Sequence, residues 1–179
     1  MQNVAHLAET TANFIAAMGA AATGVTVITT EGMAGRFGLT VSSMTSISLE
    51  PATVMVSIRN QSPSLAAILE NGGFAVNILS AHQHEVSDVF AGRPRSGERF
   101  DFGCARFDAG DRGFPVLDNA MAALECAVWR VEEIHDHTLI FGLVEACYDD
   151  TIGGSDARVN APLTYCQGRY GCPQPLVPA

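Results

Sequence analysis

A hydroxyl-rich stretch followed directly by an alternating strand is the feature that most restricts the fold of this chain. Gly38–Pro51 is rich in Thr and Ser, and apolar residues alternate with other types along Thr53–Arg59. A period of two predicts a β-strand with one apolar face. Hydroxyls and main-chain N–H groups beside such a strand can hold a phosphate at a turn or helix start, because these donors carry partial positive charge. The stretch therefore predicts an anion site built without lysine.

Three segments have the periodicity or the boundary residues of helices. Apolar residues at helical spacing predict an amphipathic helix over about residues 3–19. Ser62-Pro63 supplies an N-cap and a first helical residue, and Asn71-Gly-Gly73 ends that helix. The predicted apolar face of this helix consists of Leu65, Ile68 and Leu69. A further short helix is predicted over Ser80–Phe90, with Val86, Val89 and Phe90 on its buried side.

Strand patterns dominate the second half of the chain. Long strands are predicted over Ala122–Glu133 and His137–Cys147, joined by a hairpin turn at His135-Asp136, with a last strand near Leu163. Many short strands, Gly-rich turns and few helices favour a barrel over a doubly wound sheet. No GxGxxG motif follows a strand and opens a helix, which excludes a dinucleotide-binding fold of the Rossmann type.

A long loop is predicted between Gly92 and Gly113, where Gly, Arg and Asp are frequent. Arg93, Arg95 and Arg99 are spaced through its first part. Long loops in compact domains are either functional lids or disordered segments, and the sequence leaves both interpretations open.

Composition limits the partners of the protein. A net charge of −9 and a pI near 4.8 argue against a nucleic-acid surface, because phosphates are neutralised by clustered Lys or Arg. All ten basic residues are arginine, which excludes a Walker-type phosphate lysine and Schiff-base lysine chemistry. With 179 residues and 47% hydrophobic content, the chain can bury the core of a single domain over residues 1–179.

Targeting, cysteine and metal signals are weak. No Lys or Arg precedes Arg36, so the start lacks the charge of a secretory signal, and no apolar run reaches transmembrane length. We therefore expect a cytoplasmic protein without a membrane partner. The five cysteines form no CxxC pair, which favours packing over zinc or disulfides. His82-x-His84 and His135-x-His137 resemble paired ligands but lack a matching carboxylate pattern, so we predict no metal site.

Several motifs occur in a characteristic order between about Ala16 and Tyr170. They are Gly24-Val-Thr-Val-Ile-Thr-Thr30, Gly38 to Pro51, Phe74-Ala-Val-Asn-Ile-Leu79, Phe90-Ala-Gly92, Leu124-Glu-Cys126, Asp136-His-Thr138 with Phe141-Gly142, and Pro162-Leu-Thr-Tyr165. Their shared order resembles the flavin reductase family with the FMN-binding split-barrel fold. The resemblance implies a mainly β, Greek-key antiparallel split barrel over about residues 24–170, with a few flanking helices and a tail at 171–179.

The resemblance also implies a set of flavin-binding residues. These are Thr40, Val41, Ser42, Ser43, Ser57, Ile58, Arg59, Ser62, Ser64, Phe90 and Tyr165. Thr40–Ser43 match the family's flavin loop, whose main-chain groups approach the isoalloxazine edge and the ribityl chain. Ser57, Arg59, Ser62 and Ser64 match the region that receives the flavin phosphate. From the residues alone, the first group also fits an ordinary Ser/Thr-rich strand, and Ser62 fits a helix cap equally well, which does not exclude phosphate contact.

His137 is the predicted catalytic residue. It matches the family histidine near the nicotinamide or flavin, which orients the carboxamide or shapes the pocket; the alternative is a histidine held in the barrel wall. Asp136 either orients His137 or makes the turn. Two departures from the family pattern stand out. His135 replaces a glycine that tolerates positive φ, and Ser42-Ser43-Met44 replaces Asn-Ser-Phe, which removes an amide side chain from the expected cofactor contact.

The implied activity is NAD(P)H-dependent reduction of FMN or FAD by a homodimer that supplies a partner monooxygenase. Hydride would pass from nicotinamide C4 to flavin N5, with NADH or NADPH as the donor. Two alternatives stay open. One is a split-barrel protein that holds flavin or haem without turnover, and the other is an enzyme with tightly bound FMN that reduces a small organic or ferric substrate.

Overall fold

The computed structural model describes residues 2–93, 100–149 and 161–174, with side chains from Glu9 onward. Within these residues the chain forms three α-helices, α1 (Gln2–Gly19), α2 (Pro63–Asn71) and α3 (His84–Phe90). The strands are β1 (Thr23–Gly24), β2 (Thr26–Thr30), β3 (Phe37–Val41), β4 (Thr45–Leu49), β5 (Ala52–Arg59), β6 (Gly73–Ile78), β7 (Phe107–Ala109), β8 (Pro115–Leu117), β9 (Ala122–Ile134), β10 (His137–Tyr148), β11 (Thr164–Cys166) and β12 (Arg169–Gly171). The mainly β architecture predicted from the sequence is confirmed.

Seven strands form one antiparallel sheet in the order β3-β2-β6-β9-β10-β5-β4. β3 and β4 lie at opposite edges of this sheet, yet only Ser42–Met44 connects them along the chain. A link of this length spans roughly 14 Å at most, whereas seven strands laid flat are about 29 Å wide. The sheet must therefore curl until its two edges meet. The result is the predicted antiparallel split barrel, with Ser42–Met44 at its seam.

Ser43 closes the seam with a two-way hydrogen bond to β5. Its Oγ donates to the Ser57 carbonyl oxygen at 2.9 Å and accepts from the Ser57 N–H at 3.1 Å. β4 pairs with β5 only as far as Thr45 and Met55. The Ser43 side chain thus takes the place that a neighbouring strand would occupy beside Ser57.

Two apolar clusters hold the strands and helices together. Val54, Val56 and Ile58 are buried, as the alternation in β5 predicts, and pack inside the barrel with Phe74 and Ile140. A second cluster joins α3 to the opposite face of β2, and it includes Phe90. Successive strand residues point to opposite faces, so β2 contributes to both clusters.

Both internal helices lie close to their predicted positions. Ser62 is the N-cap residue of α2, and Gly72 ends the helix in the left-handed conformation. Leu65 and Ile68 are buried as predicted, but Leu69 is 42% exposed. Leu69 lies about 100° round the helix from Ile68 and so faces water. The segment predicted as a helix over Ser80–Phe90 is a 3-10 turn followed by α3.

The segments predicted as loops contain more regular structure than expected. Gly38–Pro51, which matches the family's flavin loop, consists mostly of β3 and β4. The described part of Gly92–Gly113 contains a 3-10 turn at Phe102–Cys104 and the strand β7, which pairs with β8. Arg95 and Arg99 lie outside the described residues.

Aromatic packing explains the order in that second segment. The Phe102 and Phe107 rings meet the Phe90 ring edge-on, with centroid separations of 5.0 and 5.8 Å. These contacts attach β7 and the 3-10 turn to α3. Because Gly, Arg and Asp are frequent in this segment, its sequence did not indicate that Phe102 and Phe107 pack into a small aromatic core.

The β9–β10 hairpin confirms the predicted turn and explains the glycine that the family has there. Ile134 pairs with His137, so the loop consists of His135 and Asp136 alone. His135 has a φ of 54°, in the left-handed region that glycine adopts at lowest cost. The chain therefore holds a histidine in a conformation that favours glycine.

The predicted N-terminal helix is confirmed as α1, but one apolar face of it is uncovered. Phe14, Ile15 and Met18 are 63%, 65% and 54% exposed. A contiguous apolar face of this kind is typical of a surface that another molecule covers.

Ser43→Ala tests the hydrogen bonds that close the seam. We expect this change to lower the free energy of unfolding by about 1–3 kcal/mol, because it leaves the Ser57 N–H and carbonyl groups without a partner. Urea unfolding measures the loss. Ser42→Ala is the matched control, since the Ser42 hydroxyl makes no hydrogen bond within the described residues, and it should change the stability by less than about 0.5 kcal/mol. Equal effects of the two changes would contradict the role given to Ser43.

Candidate functional site

A cavity of about 540 Å³ opens at the seam of the barrel. It is surrounded by the β3–β4 turn, the end of β5, the start of α2, the end of α3 and the start of β10. Its lining consists of Leu39, Thr40, Val41, Ser42, Ser43, Ser57, Ile58, Arg59, Ser62, Phe90, Ala91 and His137. We call it the seam cavity. Its volume lies within the range that holds cofactors and other small molecules.

The seam cavity brings together every residue predicted for the site except Ser64 and Tyr165. Ser64 is fully buried, and its hydroxyl donates to the Gly38 carbonyl oxygen at 3.1 Å. Tyr165 lies in an adjoining cavity. Leu39 and Ala91 line the seam cavity without having been predicted. Each directly neighbours a predicted residue, and this adjacency is the signal that could have found them.

The hydroxyls in the lining divide into two groups. Thr40 Oγ1 donates to the Ser87 carbonyl oxygen at 2.7 Å, and Ser43 Oγ is bound to β5. These two hydroxyls hold the protein together at the cavity wall. In contrast, the hydroxyls of Ser42, Ser57 and Ser62 make no hydrogen bond within the described part of the chain, which leaves them available to a ligand.

One end of the seam cavity is electropositive. The exposed Arg59 forms no ion pair within the described residues, and Ser62 begins α2 without using its side chain as a cap. The first-turn N–H groups of a helix carry partial positive charge. No Asp or Glu occurs among the described residues that line the cavity. This end therefore suits a phosphate, even though the chain as a whole is acidic.

His137 stands beside this end and is oriented by its neighbour. β10 pairs it with Arg59 across the sheet, and its Nδ1 lies 2.9 Å from Asp136 Oδ1. A carboxylate only accepts hydrogen bonds, so Nδ1 is the donor and Nε2 of the neutral ring remains as an acceptor. The same hydrogen bond is the main cause of the lowered pKa of Asp136, which keeps that carboxylate ionised at neutral pH.

Phe90 supplies the aromatic wall of the seam cavity, and Gly38 lets it approach β3. A Cβ atom added at Gly38 would lie only 2.6 Å from Cε1 of Phe90, which is closer than two non-bonded carbon atoms can approach. On its other side Phe90 is held by Phe102 and Phe107. The ring is therefore packed on both sides.

The part of the chain that the structure describes gives little support to a metal site or to cysteine chemistry. No three His, Cys, Asp or Glu side chains in that part lie together in a way that could hold a metal ion. The five cysteines are free thiols, and Cys126 packs in the barrel core, where burial raises its pKa to about 12.

No described helix combines the length and the apolar character needed to cross a membrane.

Comparison with known proteins gives consistent matches. A family model described as "Flavin reductase like domain" matches residues 18–172. The NADH-dependent flavin reductase StyB of Pseudomonas fluorescens is 39% identical over 158 residues, covering 87% of this chain and 86% of StyB. The FMN reductase (NADH) RutF of Pseudomonas syringae pv. syringae (strain B728a) is 37% identical over 125 residues, covering 70% of this chain and 69% of RutF.

A solved structure extends the likeness to the fold. The styrene monooxygenase flavin reductase (SMOB) from Pseudomonas putida S12 matches with a TM-score of 0.76 and 34% identity, covering 91% of this chain and 99% of that one. The matched family region contains every residue that lines the seam cavity. The chain belongs to the flavin reductase family.

Proposed function

We propose that the protein catalyses the NAD(P)H-dependent reduction of FMN or FAD and supplies the reduced flavin to a separate monooxygenase. The observation that carries this proposal is the seam cavity, which combines an electropositive end, a histidine and an aromatic wall in a member of the flavin reductase family. Relatives named as NADH-dependent flavin reductase and FMN reductase (NADH) support the donor and the acceptor. The structural neighbour named as a styrene monooxygenase flavin reductase supports the partner.

The residues of the seam cavity fit a flavin. Arg59, Ser62 and the start of α2 would hold the phosphate, because they offer a full charge, an unused hydroxyl and helix N–H groups at one place. Phe90 is only 5% exposed, and it contributes an apolar part of the cavity lining. When bound, the flavin supplies the hydride-accepting N5 atom, and the protein contributes position and electrostatics. We place this reaction in the cytoplasm, where reduced nicotinamide is available.

His137 would position the nicotinamide. Its Nε2 is an acceptor that can bind the N–H of the nicotinamide carboxamide, while Asp136 fixes the ring through Nδ1. Hydride transfer between two cofactors requires no proton from the protein, so orientation is the contribution that this residue can make. Holding two reactants in a reactive arrangement lowers the barrier by several kcal/mol, about 7–11 at most.

The decisive experiment is a turnover assay with purified, flavin-free protein. We expect NADH oxidation only when free FMN or FAD is added, and release of the reduced flavin to a monooxygenase supplied in the assay. A protein that binds flavin but never oxidises NADH would indicate a binding function. Activity that resides in tightly held flavin, without release, would indicate an enzyme that reduces another substrate.

We further propose that the protein works as a homodimer. In β5 and β10 the inner-face residues Val56 and Ile140 are buried, so alternation puts Met55, Leu139 and Phe141 on the outer face. Met55, Leu139 and Phe141 are only partly buried, and their row continues directly into Ser57 and His137 of the site. A second copy that covers this face would also supply a missing wall of the seam cavity.

Light scattering tests the dimer. We expect twice the 18.9 kDa mass of one chain at working concentration, and Phe141→Asp should shift the protein towards the monomer and weaken flavin binding together, because a charge at an apolar interface is costly. Fully active protein that stays monomeric would contradict the proposal.

Arg59→Gln tests the phosphate end of the site. We expect the affinity for FMN to fall about tenfold or more, since a charge-assisted hydrogen bond contributes roughly 1.5–3 kcal/mol. Riboflavin lacks the phosphate, so its affinity should change little. Fluorescence titration with the two flavins measures the difference.

Ser62→Ala and Ser64→Ala separate two of the three serines predicted for the phosphate, the third being Ser57. The unused hydroxyl of Ser62 should contribute on the order of 1 kcal/mol, or about fivefold in FMN affinity. Ser64→Ala is the control, because its hydroxyl already donates to Gly38 and its loss should not discriminate between FMN and riboflavin. A selective loss of FMN affinity in Ser64→Ala alone would indicate that the phosphate binds at Ser64.

His137→Ala should slow flavin reduction far more than it weakens flavin binding. Small misplacements of the reacting atoms can cost about 100-fold in rate, whereas the flavin contacts of the seam cavity remain. Anaerobic stopped-flow reduction separates the two steps. His135→Gly is the control: it relieves the positive φ at this turn and should leave the rate nearly unchanged. An unaltered hydride-transfer rate in His137→Ala would indicate that this histidine only lines the cavity and does not position the nicotinamide.

A further inference from the structure

A second cavity of about 210 Å³ adjoins the seam cavity, and part of its lining consists of residues that are not among those predicted for the flavin. Thr40–Ser42 line both cavities and form the wall that they share. The second cavity also has Tyr165, Tyr170 and Arg93 in its lining. We call it the tyrosine cavity. A ligand long enough to pass the shared wall could occupy both.

The two tyrosines form a fixed aromatic surface. Tyr165 of β11 and Tyr170 of β12 are direct cross-strand partners, and such partners project to the same face. Their ring centroids lie 5.4 Å apart at an interplanar angle of 63°. The hairpin loop between them consists of Gln167 and Gly168, both with positive φ, the arrangement that tight two-residue hairpins favour. The loop therefore sets the register that brings the rings together.

Tyr170 is also attached to α3. Its hydroxyl lies 2.9 Å from both Ser87 Oγ and Asp88 Oδ1. Burial raises the pKa of this hydroxyl, so it remains a neutral donor. These bonds hold the hairpin against the helix that also carries Phe90 of the seam cavity. The two tyrosines and the aromatic wall of the seam cavity are therefore attached to the same helix.

Arg93 brings positive charge to the mouth of the tyrosine cavity. Its Nη2 lies 3.0 Å from Asp88 Oδ1 and 3.4 Å from the Tyr170 hydroxyl. A guanidinium has five N–H donors, so these contacts leave donors for an anion. No carboxylate occurs among the described residues that line this cavity. An aromatic wall therefore lies next to a guanidinium whose charge is partly offset by Asp88.

We propose that the tyrosine cavity binds an adenylate group, with the adenine against Tyr165 and Tyr170 and a phosphate near Arg93. Bases stack on aromatic side chains, and arginine binds phosphate. The cavity has less than half the volume of the seam cavity, which suits a two-ring base better than a three-ring isoalloxazine. The inference rests on the proposed flavin reduction, whose cosubstrates FAD and NADH each carry an adenylate.

Truncated cosubstrates show which adenylate the cavity takes. FMN lacks the adenylate of FAD, and reduced nicotinamide mononucleotide lacks that of NADH. We would measure kcat/KM for all four pairs of flavin and nicotinamide with the wild-type protein, Tyr170→Leu and Tyr170→Phe. If the cavity holds FAD, Tyr170→Leu lowers the FAD-to-FMN ratio of kcat/KM. If it holds NADH, the same change lowers the ratio of NADH to the mononucleotide.

The expected loss in one of these ratios is about tenfold, within the range that stacking of a base on an aromatic ring provides. Tyr170→Phe retains the ring and should retain the ratio. This conservative variant separates stacking from the hydroxyl bonds to α3, because a purely structural role of those bonds would impair both variants alike. Tyr148→Phe, a tyrosine outside both cavities, is the control for general effects.

Two results would overturn the inference. One is that both ratios stay unchanged in Tyr170→Leu, and the other is that Tyr170→Phe loses as much as Tyr170→Leu. Either result would leave the proposed function intact as long as the wild-type protein reduces FMN with the mononucleotide. If the wild-type protein reduced neither flavin with either nicotinamide, the result would instead contradict the proposed function.

Discussion

The candidate site depends on a connection that is too short for a flat sheet. Ser42–Met44 links β3 to β4, which lie at opposite edges, so the sheet has to close on itself. Closure leaves a seam where strand pairing is incomplete and the Ser43 side chain pairs with Ser57 instead. Backbone and hydroxyl groups at such a seam can face a ligand rather than another strand. The position of the seam cavity thus follows from chain connectivity.

Local charge around the site differs from the charge of the whole protein. A net charge of −9 disfavours polyanions such as nucleic acids, yet the described linings of both cavities contain arginine and no carboxylate. Asp136 is close to the site, but its side chain is 81% exposed, so water and salt screen its charge. A small anion responds to the nearest charges, because more distant exposed ones are screened by salt. An acidic surface and a phosphate site are therefore compatible.

Much of the fold and site could be predicted because the signals are local. Alternation in β5 and the Ser62-Pro63 start of α2 depend on a few neighbouring residues, and the order of motifs placed His137 and Arg59 in one site. The orientation of hydroxyl groups could not be predicted in this way. Thr40, Ser43 and Ser64 donate to backbone groups that lie far away in sequence or across the seam. Whether a serine faces a ligand or the backbone depends on tertiary contacts.

The Phe90 ring can lie close to β3 only because position 38 is a glycine. Gly38 has no Cβ, and the Phe90 ring occupies the space where that atom would lie. The two positions are therefore coupled sterically, since a larger residue at one requires a smaller one at the other. Phe102 and Phe107 prevent the ring from retreating away from β3. In evolutionary terms, the cavity can be widened by changing position 90 alone, whereas position 38 can change only after position 90 has become smaller.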